Sequence, residues 1–82
     1  MHISIYSLKQ ILFDGDASSV NCTTEGGEIT VLDAHKPLIA TLKPGTLTIK
    51  DAEGKEHFIQ SGKGFLEVTA GNSARILIDE AN

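Results

Sequence analysis

The stretch Gly26–Gly45, G-G-E-I-T-V-L-D-A-H-K-P-L-I-A-T-L-K-P-G, decides the fold. It holds two apolar runs, Ile29 to Leu32 and Leu38 to Leu42, each short and bracketed by glycine or proline. Short runs rich in β-branched residues and bounded by turn formers read as strands. Pro37 has no amide proton to donate, so it starts the second run rather than lying inside it. Lys43-Pro44-Gly45 places proline and glycine at the central positions of a type II turn.

The pattern continues on both sides. His2 to Tyr6 alternates, with Ile3 and Ile5 on one face and His2, Ser4 and Tyr6 on the other. Ile11-Leu12-Phe13 runs into a turn at Asp14-Gly15-Asp16, and Ala17 to Thr24 continues as a polar edge strand in which Cys22 is a small core residue. After Gly45, Thr46 to Lys50 alternates with Leu47 and Ile49 inward. Asp51-Ala52-Glu53-Gly54 suits a type I turn closed by a left-handed glycine, and His57 to Gln60 pairs back. Turns at Gly62-Lys63-Gly64 and Gly71-Asn72 then separate the strands Phe65 to Thr69 and Ala74 to Asp79. Ile, Val and Thr total 19 residues, and apolar positions do not recur with helical spacing over any long window. The expectation is an all-β, two-sheet sandwich or flattened barrel of about ten short strands. Its core should hold Ile5, Leu12, Val31, Leu47, Ile49, Phe65, Val68 and Ile76.

Eighty-two residues make one domain, near the size at which a single core is marginal without a staple or a partner. The lone Cys22 closes no intramolecular disulfide, which fits a reducing compartment. With 7 basic against 11 acidic residues and a net charge of -4, nucleic acid is not an expected partner. The opening Met1-His2-Ile3-Ser4 lacks the basic and apolar regions of an export signal, and the apolar runs are too short to enter a membrane, so the chain reads as soluble.

Chemistry finds little purchase. Ser61-Gly62-Lys63-Gly64 is no phosphate loop, because His57 stands where such a loop needs its first glycine. Asp14, Asp16, Ser18 and Glu25 match some calcium-loop positions, but Ser19 replaces the obligatory glycine and helices are lacking. His2, His35 and His57 lie far apart with no metal-ligand spacing, and no nucleophile motif is present. No catalytic, nucleotide-binding, metal or cofactor site is expected. Glu28, after two glycines and before an apolar strand, reads as an exposed carboxylate at a loop tip.

The motifs, taken in order, resemble the N-terminal β-domain of the epsilon subunit of F-type ATP synthases, called delta in mitochondria. His2-Ile3-Ser4-Ile5 with Phe13-Asp14-Gly15 is similar to the family's opening strand and Phe-x-Gly turn. Gly27-Glu28, His35-x-Pro37-Leu38, Leu42-Lys43-Pro44-Gly45 and Leu47-Thr48-Ile49 follow in the family's order. Gly62-Lys63-Gly64-Phe65-Leu66-Glu67-Val68 resembles its Ser-Gly-Gly-Phe-Leu-Glu-Val, and Ala81 ends a stretch like its Ala-Asp-Glu-Ala. Thr30 to Pro37 departs from the family's Gly-Ile-Leu-Pro-Gly-His-Ala-Pro by two glycines and a proline, so the geometry of that loop is expected to differ. The family's C-terminal helical hairpin has no counterpart in these residues. Asn82 stands at the arginine position of its Ile-Asp-x-x-Arg-Ala motif, so ATP binding and inhibition of hydrolysis are not expected of the 82-residue chain.

The resemblance implies a non-catalytic rotor subunit that joins the gamma subunit to the c-ring at the cytoplasmic face of the cell membrane, without inserting into it and without forming homo-oligomers. It assigns Glu28 and Gly27 to the c-ring contact, and His35 and Leu38 to the gamma contact. The alternative is a free-standing small-ligand-binding β-sandwich module, for which Tyr6, Phe13, Phe58 and Phe65 are the only aromatic residues available and tryptophan is lacking. A cupin-like metalloenzyme would need clustered histidine and acidic ligands that the sequence does not supply.

Overall fold

The structure, a computed structural model, describes residues 1–80 as seven strands; Ala81 and Asn82, named in two of the motifs above, lie outside the described residues. The strands are β1 (His2–Tyr6), β2 (Ile11–Thr24), β3 (Gly27–Leu32), β4 (Leu38–Leu42), β5 (Gly45–Asp51), β6 (Glu56–Thr69) and β7 (Ser73–Glu80). The all-β expectation holds, and the strand number falls from about ten to seven for one reason. Two strands of 14 residues, β2 and β6, run straight through glycines that the sequence presents as turns.

Asp14-Gly15-Asp16 pairs in register with Ser4, Ile3 and His2 inside β2. Gly62-Lys63-Gly64 is a bulge inside β6, where the register against β7 slips from Ser61↔Glu80 to Gly64↔Ile78. An extra residue on one strand bends it and raises its twist, which lets a long strand serve two layers. The Glu56–Ser61 half of β6 pairs with β5, and the segment from Gly64 to Val68 pairs with β4. Likewise β2 pairs with β1 over its first part, then with β5 on one side and β3 on the other. Since β1 pairs in parallel with β7 and antiparallel with β2, the sheet closes on itself as a flattened barrel.

This topology corrects three expectations. Ala17 to Thr24 is an interior segment of β2 and not an edge, with Val20 and Cys22 fully buried. Lys43-Pro44-Gly45 is not a type II turn: Gly45 has no positive φ, β4 and β5 do not pair with each other, and the Lys43 amide donates to the Thr23 carbonyl at 2.9 Å. Phe65 is not core. It is 59% exposed, because the bulge sets the parity of β6 so that Leu66 and Val68 point inward and Phe65 and Glu67 point out.

Of the other expected core residues, Ile5, Val31, Leu47, Ile49, Val68 and Ile76 are buried, and Leu12 packs against them from a half-buried position. Ile3, Ala17, Leu42, Leu66, Ala74 and Ile78 complete the core with Val20 and Cys22. Burial pushes the Cys22 thiol up to about 11, so it stays protonated and unreactive at neutral pH. The turn after β5 forms as its sequence dictates: Gly54 has φ of 88°, its amide donates to the Asp51 carbonyl at 3.0 Å, and Asp51 Oδ1 accepts the amides of Glu53 and Lys55 at 2.9 Å each.

Candidate functional site

Among the described residues two histidines pair with carboxylates. His2 Nε2 lies 2.6 Å from Asp14 Oδ1, and Ser4 Oγ donates to the same oxygen at 3.3 Å. The carboxylate therefore sits between hydroxyl and imidazole, and the imidazole does not contact the hydroxyl, the reverse of the nucleophile–imidazole–carboxylate order that activation uses. His57 Nε2 lies 2.8 Å from Asp51 Oδ2, and its ring meets Phe13 edge-on at 5.3 Å. That bond, followed by the amides of Lys55 and Glu53, holds the Asp51 carboxyl below the usual carboxylate range. The pair pins a hairpin turn. Among the described residues no three His, Cys, Asp or Glu side chains converge as a metal site, and no helix is long and apolar enough to cross a membrane.

Of the residues that the sequence singles out, Gly27 and Glu28 open β3, His35 lies in the β3–β4 loop and Leu38 opens β4. Glu28 is exposed and is the second residue of β3, opposite Thr23, so the loop tip belongs to Glu25 and Gly26 instead. Only Gly27 of the glycine pair is left-handed, with φ of 121°. The hairpin is tied down rather than pliant: Thr24 Oγ1 donates to the Gly27 carbonyl at 2.8 Å, accepts the Gly26 amide at 3.1 Å, and the Glu25 amide donates to Thr41 at 3.1 Å. Glu28 is thus presented by a firm edge.

His35 lies at the other end of β3. Its amide donates to the Leu32 carbonyl at 3.1 Å, closing a turn in which Ala34 adopts φ of 62°, and its Nδ1 donates to the Lys36 carbonyl at 2.7 Å. At about 3.3 Å per residue, the strand between Glu28 and Leu32 sets the two ends roughly 13 Å apart before the loop is counted. The structure therefore separates the two candidate contacts instead of bringing them together. Leu38 is half-buried against the core, whereas its neighbour Ile39 is 78% exposed.

Sequence reasoning missed the surface that Ile39 belongs to. On the outer face of β4, β6, β7 and β1, register sets Thr41, Phe65, Leu77 and Tyr6 in one row, and Ile39, Glu67, Arg75 and Ser4 in the next. Leu8, 94% exposed after β1, overhangs the first row. Leu8, Phe65, Leu77 and Thr41 line a shallow depression of about 310 Å³ with Lys63 at its rim. The missed signal was parity: with Leu66 and Val68 inward, alternation alone puts Phe65 outside.

Comparison with known proteins bears on this arrangement. The family model described as the β-sandwich domain of the ATP synthase delta/epsilon chain matches residues 1–82. The ATP synthase epsilon chain of Delftia acidovorans is 36% identical over 81 residues, which cover 99% of this chain and 58% of that protein. The epsilon chain of Bordetella parapertussis is 39% identical over 82 residues, covering 99% and 57%. The chain thus spans less than two thirds of the length of these curated relatives. Among solved structures, a chain of the Euglena gracilis mitochondrial ATP synthase (OSCP/F1/c-ring) superimposes with a TM-score of 0.89 at 22% identity, covering 98% of this chain and 51% of that one. A chain of the Tetrahymena thermophila mitochondrial ATP synthase central stalk and c-ring gives 0.81 at 17% identity, covering 98% and 63%. At these identities the superpositions speak for the fold.

Proposed function

Because the chain belongs to the family of ATP synthase delta/epsilon-chain β-sandwich domains, we propose that it is a non-catalytic central-stalk element of an F-type ATP synthase. In this reading it links the gamma subunit to the c-ring, so that proton or sodium translocation is coupled to ATP synthesis. It sits at the cytoplasmic face of the membrane, held there by the complex. The observation that carries the proposal is the family match over the whole 82-residue length. The geometry supports it: Glu28, a c-ring contact with Gly27, opens β3, and His35, a gamma contact with Leu38, lies in the loop three residues beyond its other end.

A coupling element must pass torque without yielding. A closed sheet around a close-packed core is stiff, since sliding one strand breaks a ladder on each side of it. The Glu28 contact is a rim contact between an exposed carboxylate and a basic or amide group, worth about 1 kcal/mol or less, so it tunes docking and does not decide assembly.

The test is cross-linking in the assembled complex. Cysteine at position 28 (Glu28→Cys) should form a disulfide with a cysteine placed in the polar loop of the c-subunit, and Glu53→Cys, in the β5–β6 turn, should not. Native Cys22 can stay, being buried and protonated. Equal cross-linking at both positions removes Glu28 from the interface, and failure of the chain to co-purify with its cognate gamma subunit overturns the rotor reading.

A further inference from the structure

Two non-glycine residues among those described have positive φ, Ala34 at 62° and Asn72 at 58°, and a single hydrogen bond joins them. They are 38 positions apart, Ala34 in the β3–β4 loop and Asn72 in the β6–β7 turn. The Ala34 amide donates to Asn72 Oδ1 at 2.8 Å. Asparagine enters the left-handed region readily because its side chain bonds locally, but alanine does so only when its surroundings hold it there.

Neighbouring contacts hold Ala34 there. The Asn72 carbonyl accepts the His2 amide at 3.3 Å, which fixes the turn against β1. Asp33, beside Ala34, binds the Met1 amine, and its carboxyl is held below the usual range by that amine and by the Asn72 side chain. From Ala34 the chain leads directly to His35, Pro37 and Leu38.

We propose that Asn72 is a positioning residue, which holds the β3–β4 loop in the left-handed conformation that presents His35 and Leu38 to the partner subunit, without contacting that partner itself. The inference rests on the docking reading given above. Glycine at 72 keeps the turn, since it adopts positive φ freely, and removes only the side-chain acceptor. Glycine at 34 makes the left-handed conformation free of cost, so it should replace what Asn72 supplies.

The experiment is a series in the 82-residue chain: parent, Asn72→Gly, and Asn72→Gly with Ala34→Gly. Amide exchange and carbon chemical shifts of the loop are read by NMR, and affinity for the cognate gamma subunit is measured in parallel. Asn72→Gly should speed exchange at Ala34 and weaken the gamma complex by about fivefold each, the equilibrium worth of one hydrogen bond. It should also move the Ala34 carbon shifts away from left-handed values, with the strand amides unchanged. The double variant should return affinity to near the parent value, a rescue that general destabilisation would not give. Unchanged Ala34 shifts and exchange in Asn72→Gly overturn the proposal, as does a loosened loop with parent-like affinity. If the parent itself fails to bind gamma, the docking reading falls, and the NMR arm alone then decides whether Asn72 sets the loop.

Discussion

An alanine at position 64 would put its Cβ 2.3 Å from the Leu77 carbonyl oxygen, 2.8 Å from Ile78 Cγ2 and 3.0 Å from Ile78 Cα. Two of these three are backbone atoms of β7, the strand that pairs with β6 at this point, so no side-chain rotation relieves the contact. Relief means moving β7 by about an ångström at a fully buried position, with loss of ladder hydrogen bonds. Overpacking costs about 1–3 kcal/mol and each lost bond about 1 kcal/mol more, so Gly64→Ala should cost roughly 3 kcal/mol or above. A chain of 82 residues has only about 4–12 kcal/mol of stability to lose. For a domain of this size the midpoint should fall by roughly 12–24 °C. The other glycines grade the effect. At Gly62 the nearest atoms, Asp79 Cβ and O, lie at 3.1 Å and can yield a little, so Gly62→Ala should cost about 1 kcal/mol. At Gly71 the nearest is Thr69 Oγ1 at 3.9 Å, and Gly71→Ala should be neutral or slightly stabilising through its stiffer unfolded chain. Thermal and urea denaturation followed by circular dichroism read the series. A Gly64→Ala chain within about 1 kcal/mol of the parent, or a Gly71→Ala chain as damaged as it, refutes the reasoning.

The opposite parities of Phe65 and Leu66 predict opposite phenotypes in the isolated chain: Leu66→Ala should cost about 2–5 kcal/mol, and Phe65→Ala, at an exposed site, under about 1 kcal/mol, by urea midpoint. Ile39→Ser should leave the fold intact and weaken capture of the gamma subunit, because Ile39 lies beside the His35 loop on the exposed face of β4; unchanged capture would exclude that face from the interface. Asp51 has a depressed folded-state pKa, so its contribution is present above the unfolded value near 4 and is lost as pH falls through the folded value. Between pH 5 and pH 3, Asp51→Asn should therefore lose less stability than the parent, and an acid limb as steep as the parent's would count against the Asp51–His57 bond.

Local alternation was the readable part of the fold. Ile3 and Ile5, Leu47 and Ile49, and the Asp51–Gly54 turn each follow from residues within five positions of one another, where pleat and turn chemistry act directly. The long strands were not readable. Gly15 and Gly62 carry the same local signal as a turn glycine, and only their partners, Ile3 on β1 and the backbone of Asp79 on β7, show that they serve a strand and a bulge. Phe65, although large and apolar, lies outside, because alternation from buried Val68 on the same strand sets it on the opposite face. Ala34 shows a third limit: a non-glycine residue takes a left-handed backbone there, held through an acceptor 38 residues away that no local pattern announces. For the candidate site, the sequence motifs supplied the positions of Glu28 and His35, and the structure supplied their separation, Glu28 opening β3 and His35 lying in the loop beyond its other end.

That placement bears on how a small domain could transmit load. Among the described residues β3 pairs only with β2, so a force between its Glu28 end and the loop beyond Leu32 would be a shear along the β2–β3 ladder, carried by six residue pairs from Ser19↔Leu32 to Thr24↔Gly27. Shear along a ladder loads its bonds together, whereas peeling from one end would load them singly. The fastenings sit where peeling would start. At one end Thr24 Oγ1 and the Glu25 amide lash the hairpin to its own backbone and to β4. At the other, Asn72 and the Met1–Asp33 pair lash the loop to β7's turn and to β1. Between the two ends Asn21 Nδ2 donates to Thr30 Oγ1 at 2.8 Å across the β2–β3 ladder, and Val31 is fully buried and anchors the strand to the core.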